Sequence, residues 1–221
     1  MTYYLLGILL RYVIIPHLEP CLSPWILSEY RFVVNLFKGL VGVVFTNVFR
    51  ETDLIKLKKL TDDAYRFDFN EFIAINNLER IVVLDPQARK SLTKLDVELA
   101  DAVIIGGIMG DNPPRGRTKK LITDRVRTKE VISRNLGKKQ LTIAGAAYVL
   151  KAIWEGKSLN EIKIMNGLSI DIELNDVKLT IELPYAFPVV NGKPVIPEDY
   201  IEIVKGGTVY FESVGRCIDE D

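Results

Sequence analysis

Short apolar runs recur along the chain at residues 12–15, 41–46, 81–84, 102–106 and, more weakly, 131–133. Runs this short and this continuous fit strands buried on both faces of a parallel sheet. Between them apolar positions return at helical spacing. Ser23 followed by Pro24 reads as an N-cap with proline at the first helical position, and Trp25, Ile26, Tyr30, Val33, Val34 and Phe37 then share one face until Gly39. Residues 53–60 and 67–77 supply weaker helices. Thr142 caps a stronger one, carrying Ala144, Ala147, Tyr148, Ile153 and Trp154 and stopping at Gly156. Strands alternating with helices predict an α/β domain over residues 1–160, built on a mostly parallel sheet with helices on both faces.

After Gly156 the pattern changes. Residues 162–165, 168–174, 177–183, 188–190 and 208–211 read as short strands, with Asn175-Asp176 and Asn191-Gly192 as turns. Alternation from Ser169 to Leu174 gives one wet and one buried face. Residues 161–221 are therefore expected to form a short antiparallel extension packed on the same domain. At the other end, residues 3–10 are apolar but Arg11 interrupts the run, which is well short of the roughly 20 residues that span a bilayer. No basic region precedes it and no small-residue cleavage site follows, so it reads as a leader to a buried strand, with no membrane partner.

The 221 residues carry 29 basic and 29 acidic side chains, with 48% hydrophobic residues. This excludes a disordered, collagen-like or disulfide-scaffold chain. Cys21 and Cys217 stand at opposite ends and suggest neither a disulfide framework nor a zinc site, so a reducing cytoplasm is expected. Charge is uneven despite the zero sum. Residues 115–139 hold ten basic and two acidic side chains, whereas residues 171–221 hold eleven acidic and four basic ones. These are either solvated, mutually neutralising faces or a basic rim beside a site for an anionic or ribosome-associated partner.

The densest chemical signal follows the fourth strand: Gly106-Gly107-Ile108-Met109-Gly110-Asp111-Asn112-Pro113-Pro114-Arg115-Gly116-Arg117-Thr118. Glycine permits close approach of the backbone and proline removes its freedom, so this loop is built either as a rigid turn or to touch a ligand. It is not a phosphate-binding G-x-x-x-x-G-K-[ST] loop, and its glycine spacing fails the GxGxxG dinucleotide fingerprint. Leu84-Asp85-Pro86 ends the preceding strand, and the segment from Arg134 through Leu136, Gly137, Gln140 and Leu141 to Thr142 opens the capped helix. Three successive strand ends thus carry special loops, on the side of an open α/β sheet where ligands bind.

These loops, together with the N-terminal HLEPCLSPWILSEY, resemble the SPOUT class of S-adenosylmethionine-dependent methyltransferases. More narrowly, they resemble its archaeal and eukaryotic branch labelled predicted RNA methyltransferase, which includes an arginine methyltransferase acting on a ribosomal protein. The resemblance spans residues 12 to about 204 and implies a C-terminal trefoil knot, an exception to the rule against threaded loops. It implies that S-adenosylmethionine, with S-adenosylhomocysteine as product and no metal, is held by Leu84, Asp85 and Pro86, by Gly106, Gly107, Ile108, Gly110, Pro114 and Arg117, and by Leu136, Gly137, Gln140, Leu141 and Thr142. The helix from Thr142 would thread the knot, and the chain would be a monomer or a homodimer through that region.

For an arginine acceptor, carboxylates must orient the guanidinium and receive its proton, and Asp111 and Glu19 are the candidates. For an RNA acceptor, Arg115 and Arg117 would instead hold phosphate. His17, the single histidine, is either a packed residue or a base near neutrality. Glu29 reads as helix packing first and as a substrate contact second. Neutral total charge, the acidic tail and the family precedent favour a ribosomal or translation-associated protein over rRNA or tRNA. A silent S-adenosylmethionine-binding module and a purely structural scaffold are the other readings.

Overall fold

The computed structural model describes residues 10–110, 115–174 and 177–207. Five parallel strands, β1 (Tyr12–Pro16), β2 (Gly42–Thr46), β3 (Arg80–Leu84), β4 (Ala102–Ile105) and β5 (Glu130–Arg134), form one sheet in the order β2-β1-β4-β3-β5. The connecting helices are α1 (Pro24–Phe37), α2 (Glu51–Lys58), α3 (Phe69–Ile75), α4 (Lys94–Glu98), α5 (Arg117–Leu121) and α6 (Ile143–Trp154). Strand side chains alternate between faces. Val13, Ile15, Val103 and Ile105 therefore pack with Tyr30 and Phe37 of α1 and Ala147 and Leu150 of α6. Ile14, Val44, Val83 and Ile104 point the other way, onto Phe69, Phe72 and Ile73 of α3.

The two caps read from sequence are present. Ile26 donates its backbone N–H to Ser23 Oγ at 3.2 Å, with Pro24 in the first helical position, and Gly145 donates to Thr142 Oγ1 at 3.0 Å. Helices α4 and α5 are additions to the sequence expectation. Each has five residues, too few to show a periodic stripe, although Thr93 and Asp96 form a capping box that marks α4.

The extension contains β6 (Ile164–Leu174), β7 (Val177–Val190), β8 (Lys193–Pro194) and α7 (Tyr200–Lys205), the strands pairing antiparallel in the order β6-β7-β8. Four expected strands thus merge into two. The register shifts between Asn166 and Leu168, where Gly167 at φ +72° faces two residues of β7, Pro184 and Tyr185. A bulge lets the hairpin run through that proline, because the extra residue has no ladder bond to make. Asn191 and Gly192, both at positive φ, make the two-residue turn into β8. Helix α7 replaces part of a stretch expected to be β-rich. Trp25, Phe187 and Tyr200 pack together and dock the extension on the start of α1.

The leader at residues 1–9, the Asn175-Asp176 turn and the strand expected at 208–211 lie outside the described residues.

Candidate active site

Because β4 lies between β1 and β3, the carboxyl ends of β1, β4, β3 and β5 stand side by side. Each exit is tied down by short polar contacts. After β3, Gln87 donates its backbone N–H to Asp85 Oδ1 at 2.8 Å and Ala88 donates to the Asp85 carbonyl at 3.0 Å, closing a turn around Pro86. Thr123 Oγ1 donates to the other Asp85 oxygen at 2.7 Å, so this buried carboxylate is committed to shaping the loop. After β5, the Asn135 amide donates to the Ala88 carbonyl at 2.9 Å, and its oxygen accepts from Gly137 N at 2.9 Å. Gly137, at φ +93°, then turns the chain toward α6.

The exit from β4 runs against the end of β1. Gly107 donates to the Pro16 carbonyl and accepts from Leu18 N, both at 3.1 Å, stitching the loop to the end of β1. Met109 N donates to Glu19 Oε1 at 2.9 Å, and Arg117 Nη1 donates to the same oxygen at 3.2 Å while Nη2 donates to the Met109 carbonyl. Glu19 therefore clamps the glycine loop. Strand β7 contributes as well: Tyr185 Oη donates to the Gly110 carbonyl at 3.0 Å, and Ala186 N donates to the Gln140 carbonyl at 2.8 Å.

These loops enclose a cleft of about 310 Å³. Its apolar wall includes Leu84, Ile105, Leu136, Leu141, Ile143 and Ala146, opposite the backbone of Gly106 and Gly110, with Arg115, Lys138 and Lys139 among its polar lining. Pro86, Asp85, Ile108, Arg117, Gly137, Gln140 and Thr142 also line it, so most residues singled out from sequence meet at one place. Asp111 and Pro114 lie outside the described residues. Gly107 supports the loop from behind and does not line the cleft.

His17 is elsewhere. It is buried, its Nδ1 3.1 Å from Tyr30 Oη, and its Nε2 has no hydrogen-bond partner among the described residues, with Asp53 Oδ2 3.9 Å away. Burial lowers its pKa to about 4, against the pull of Asp53, so the ring is neutral.

Sequence reasoning missed Gln87, Met109, Gly116, Lys138 and Ala146 as lining residues. Gly116 has a reason to be glycine: its φ is +64°, and a Cβ there would sit 2.3 Å from Gln87 Nε2. The sequence also undervalued Glu29. It is 2% exposed, accepting from Trp25 Nε1 at 3.2 Å on one oxygen and from Ala144 N, at the start of α6, on the other. Burial raises its pKa to about 7, although donors from Ala144, Trp25, Thr142 and Ile143 resist the rise.

A parallel sheet in this strand order, with three strand-end loops and a capped helix converging on one cleft, defines a SPOUT-like α/β methyltransferase fold. The dual specific Trm10 from Thermococcus kodakaraensis has a similar fold, with a TM-score of 0.56 at 22% identity over 68% of this chain and 96% of that one. The family model for SFM1-like protein arginine N-methyltransferases matches residues 12–210, and the chain belongs to that family. Protein arginine N-methyltransferase SFM1 of Saccharomyces cerevisiae is 28% identical over 204 residues, 87% of this chain and 93% of the yeast protein. The crystal structure of the yeast enzyme complexed with SAM superimposes with a TM-score of 0.76 at 26% identity, covering 90% of this chain and 92% of that one. Other structures of the yeast enzyme hold SAH or MTA.

Proposed function

We propose that this protein is an S-adenosylmethionine-dependent protein arginine N-methyltransferase whose acceptor is a ribosomal or other translation-associated protein in the cytoplasm. The observation that carries the reading is the cleft: in a chain of the SFM1-like family, three strand-end loops and the N-terminus of α6 close on a space of about 310 Å³. That volume lies in the range of pockets for small cofactors. Its make-up fits the cofactor too. Leu84, Ile105, Leu136 and Leu141 offer an apolar wall for an adenine ring, and the glycine loop brings bare backbone against the opposite side. When bound, S-adenosylmethionine supplies an electrophilic methyl group on a sulfonium centre and leaves as S-adenosylhomocysteine.

The chain's own residues do the rest by positioning, since near-attack geometry is the main requirement of an in-line transfer. Glu19 holds the glycine loop through Met109 and Arg117. Arg115 borders the cleft, and Asp111, which follows Gly110 in the sequence, is the acid proposed to pair with the substrate's cationic side chain. The strand order and the packing of α6 beside α1 support the further assignment of α6 as the segment threaded through a knot. A zero net charge and an acidic C-terminal segment support a basic protein acceptor over a polyanionic one.

Two measurements test this. Incubating the protein with methyl-tritiated S-adenosylmethionine and a ribosomal fraction is expected to give label that resists ribonuclease and is lost to protease. Label with the opposite sensitivity would move the acceptor to RNA and make Arg115, Lys138 and Lys139 its phosphate contacts. Separately, a Cβ on Gly110 would lie 1.5 Å from Gln140 Nε2, the far end of a side chain that lines the cleft, and 3.1 Å from Tyr185 Cε1. Gly110→Ala is therefore expected to displace Gln140 and to weaken S-adenosylhomocysteine about five- to tenfold by calorimetry, the worth of one hydrogen bond.

A further inference from the structure

We propose that Glu29 receives the proton lost by the substrate arginine, in a slot beside the cofactor cleft that admits one ω-nitrogen of a guanidinium. The inference rests on the functional reading above and assigns the acceptor end of the same site. The slot has a volume of about 20 Å³ and is lined by Trp25, Ile26, Glu29 and Tyr185 on its own side. Its other walls, Ile108, Met109, Gly110, Leu141, Thr142 and Ile143, also line the cleft. A space of about 10–15 Å³ admits one water-sized group. The slot thus takes an amino group and leaves the body of the guanidinium in the cleft.

Charge points the same way. Glu29 is buried, and its donors are an indole N–H and amides and a hydroxyl at the start of α6, all neutral. No Lys, Arg or His pairs with it among the described residues. A buried carboxylate without a cation costs several kcal/mol, a cost that a structural cap made by serine or asparagine would avoid. A guanidinium supplies the missing counter-charge. A carboxyl group titrating near neutrality is also suited to take up a proton and release it again.

The step balances. The ω-nitrogen at the junction of slot and cleft forms its bond to the methyl carbon as the carbon–sulfur bond breaks, and its surplus proton passes to Glu29. The product is a methylguanidinium with the charge the arginine began with. Glu29 returns the proton to water when the substrate leaves.

The chain has two tryptophans, Trp25 and Trp154, so its indole N–H groups give two nuclear magnetic resonance signals, and that of Trp25 reports on Glu29 directly. With S-adenosylhomocysteine bound, titration with agmatine, a small guanidinium probe, is expected to move the Trp25 signal saturably, whereas butylamine leaves it in place. In Glu29→Gln the agmatine response should vanish and turnover should fall roughly 100-fold or more, the usual worth of a positioned proton acceptor. S-adenosylhomocysteine affinity should stay within about threefold, which separates a lost acceptor contact from a lost fold. Glu29→Asp, which keeps the charge one methylene back, is expected to recover at least about tenfold over the glutamine variant. A Trp25 signal that ignores agmatine in the unsubstituted protein, or a glutamine variant that turns over within about threefold of it, would overturn the inference. Failure of the functional reading is distinct, since the unsubstituted protein would then place no label on arginine.

Discussion

Between pH 6.5 and pH 4.5 the stability contributions of two buried groups are expected to offset each other, while Glu29→Gln loses roughly 3 kcal/mol between pH 7 and pH 4. The two groups have opposite slopes. His17 titrates at about 4 when folded against 6.5 when exposed, because burial disfavours its charged form, with Asp53 opposing and Arg50 reinforcing the shift. Its contribution to stability is complete above pH 6.5 and is lost as pH falls through 4, since unfolding lets the ring take up a proton. Glu29 titrates at about 7 when folded against 4.5 when exposed. Its contribution is complete below pH 4.5 and is lost as pH rises through 7, since unfolding lets the carboxyl group ionise freely. Each gap corresponds to roughly 3 kcal/mol, and the two cancel across the shared window. Removing one group exposes the other. Glu29→Gln should gain stability steadily from pH 4 to 6.5, and His17→Asn should lose it from pH 4.5 to 7. Urea unfolding at a series of pH values measures both slopes. A flat profile in both variants would mean that burial does not govern either titration.

Gly107→Ala is expected to destabilise the fold by about 3 kcal/mol, lowering Tm by roughly 6–12 °C in a domain of this size. The added Cβ would lie 2.3 Å from the Pro16 carbonyl, 2.5 Å from Tyr30 Oη and 3.1 Å from Ile15 Cγ2. The first of these is backbone, held between two strands by paired hydrogen bonds, and Tyr30 is wedged against Phe45 with centroids 4.7 Å apart. Neither can retreat. Gly106→Ala makes the natural comparison, since its Cβ meets Ile122 Cδ1 at 3.3 Å, the end of a flexible side chain, and a cost under about 1 kcal/mol is expected. Thermal unfolding of the pair tests the contrast: equal losses would show that the approach of the β4 exit to β1 is looser than the distances indicate.

The parallel sheet was legible in the sequence because strands covered on both faces are apolar throughout, and Val13, Ile14 and Ile15 illustrate this by serving both cores. The loops were legible for a different reason. Glycine and proline act on the backbone itself, so Gly106-Gly107 and Asp85-Pro86 announce unusual geometry without reference to partners. What stayed hidden depends on long-range neighbours. Glu29 sits on a helix face among apolar residues, and nothing local distinguishes a solvated glutamate from one that meets Ala144, 115 positions away. For His17 the sequence left packed residue and base both open for the converse reason, because its burial by Tyr30 and Asp53 is a property of the assembled sheet. The hairpin was read as four strands since Gly167 and Pro184 are usual terminators, yet opposite each other they form a bulge that keeps both strands running.

The strand order carries a kinetic consequence. β1 can pair with β2 as soon as the intervening helix forms, but β3 has no neighbour until β4 arrives to fill the space between it and β1. The centre of the sheet is thus completed by a strand later in sequence than both of its partners. A chain emerging from the ribosome through β3 holds two sheet fragments with unpaired edges, and only the appearance of residues 102–105 joins them. Such non-local closure slows folding and prolongs the exposure of apolar strands. The interval between synthesis of β3 and β4, about 20 residues long, is therefore the period in which this protein most needs protection from aggregation.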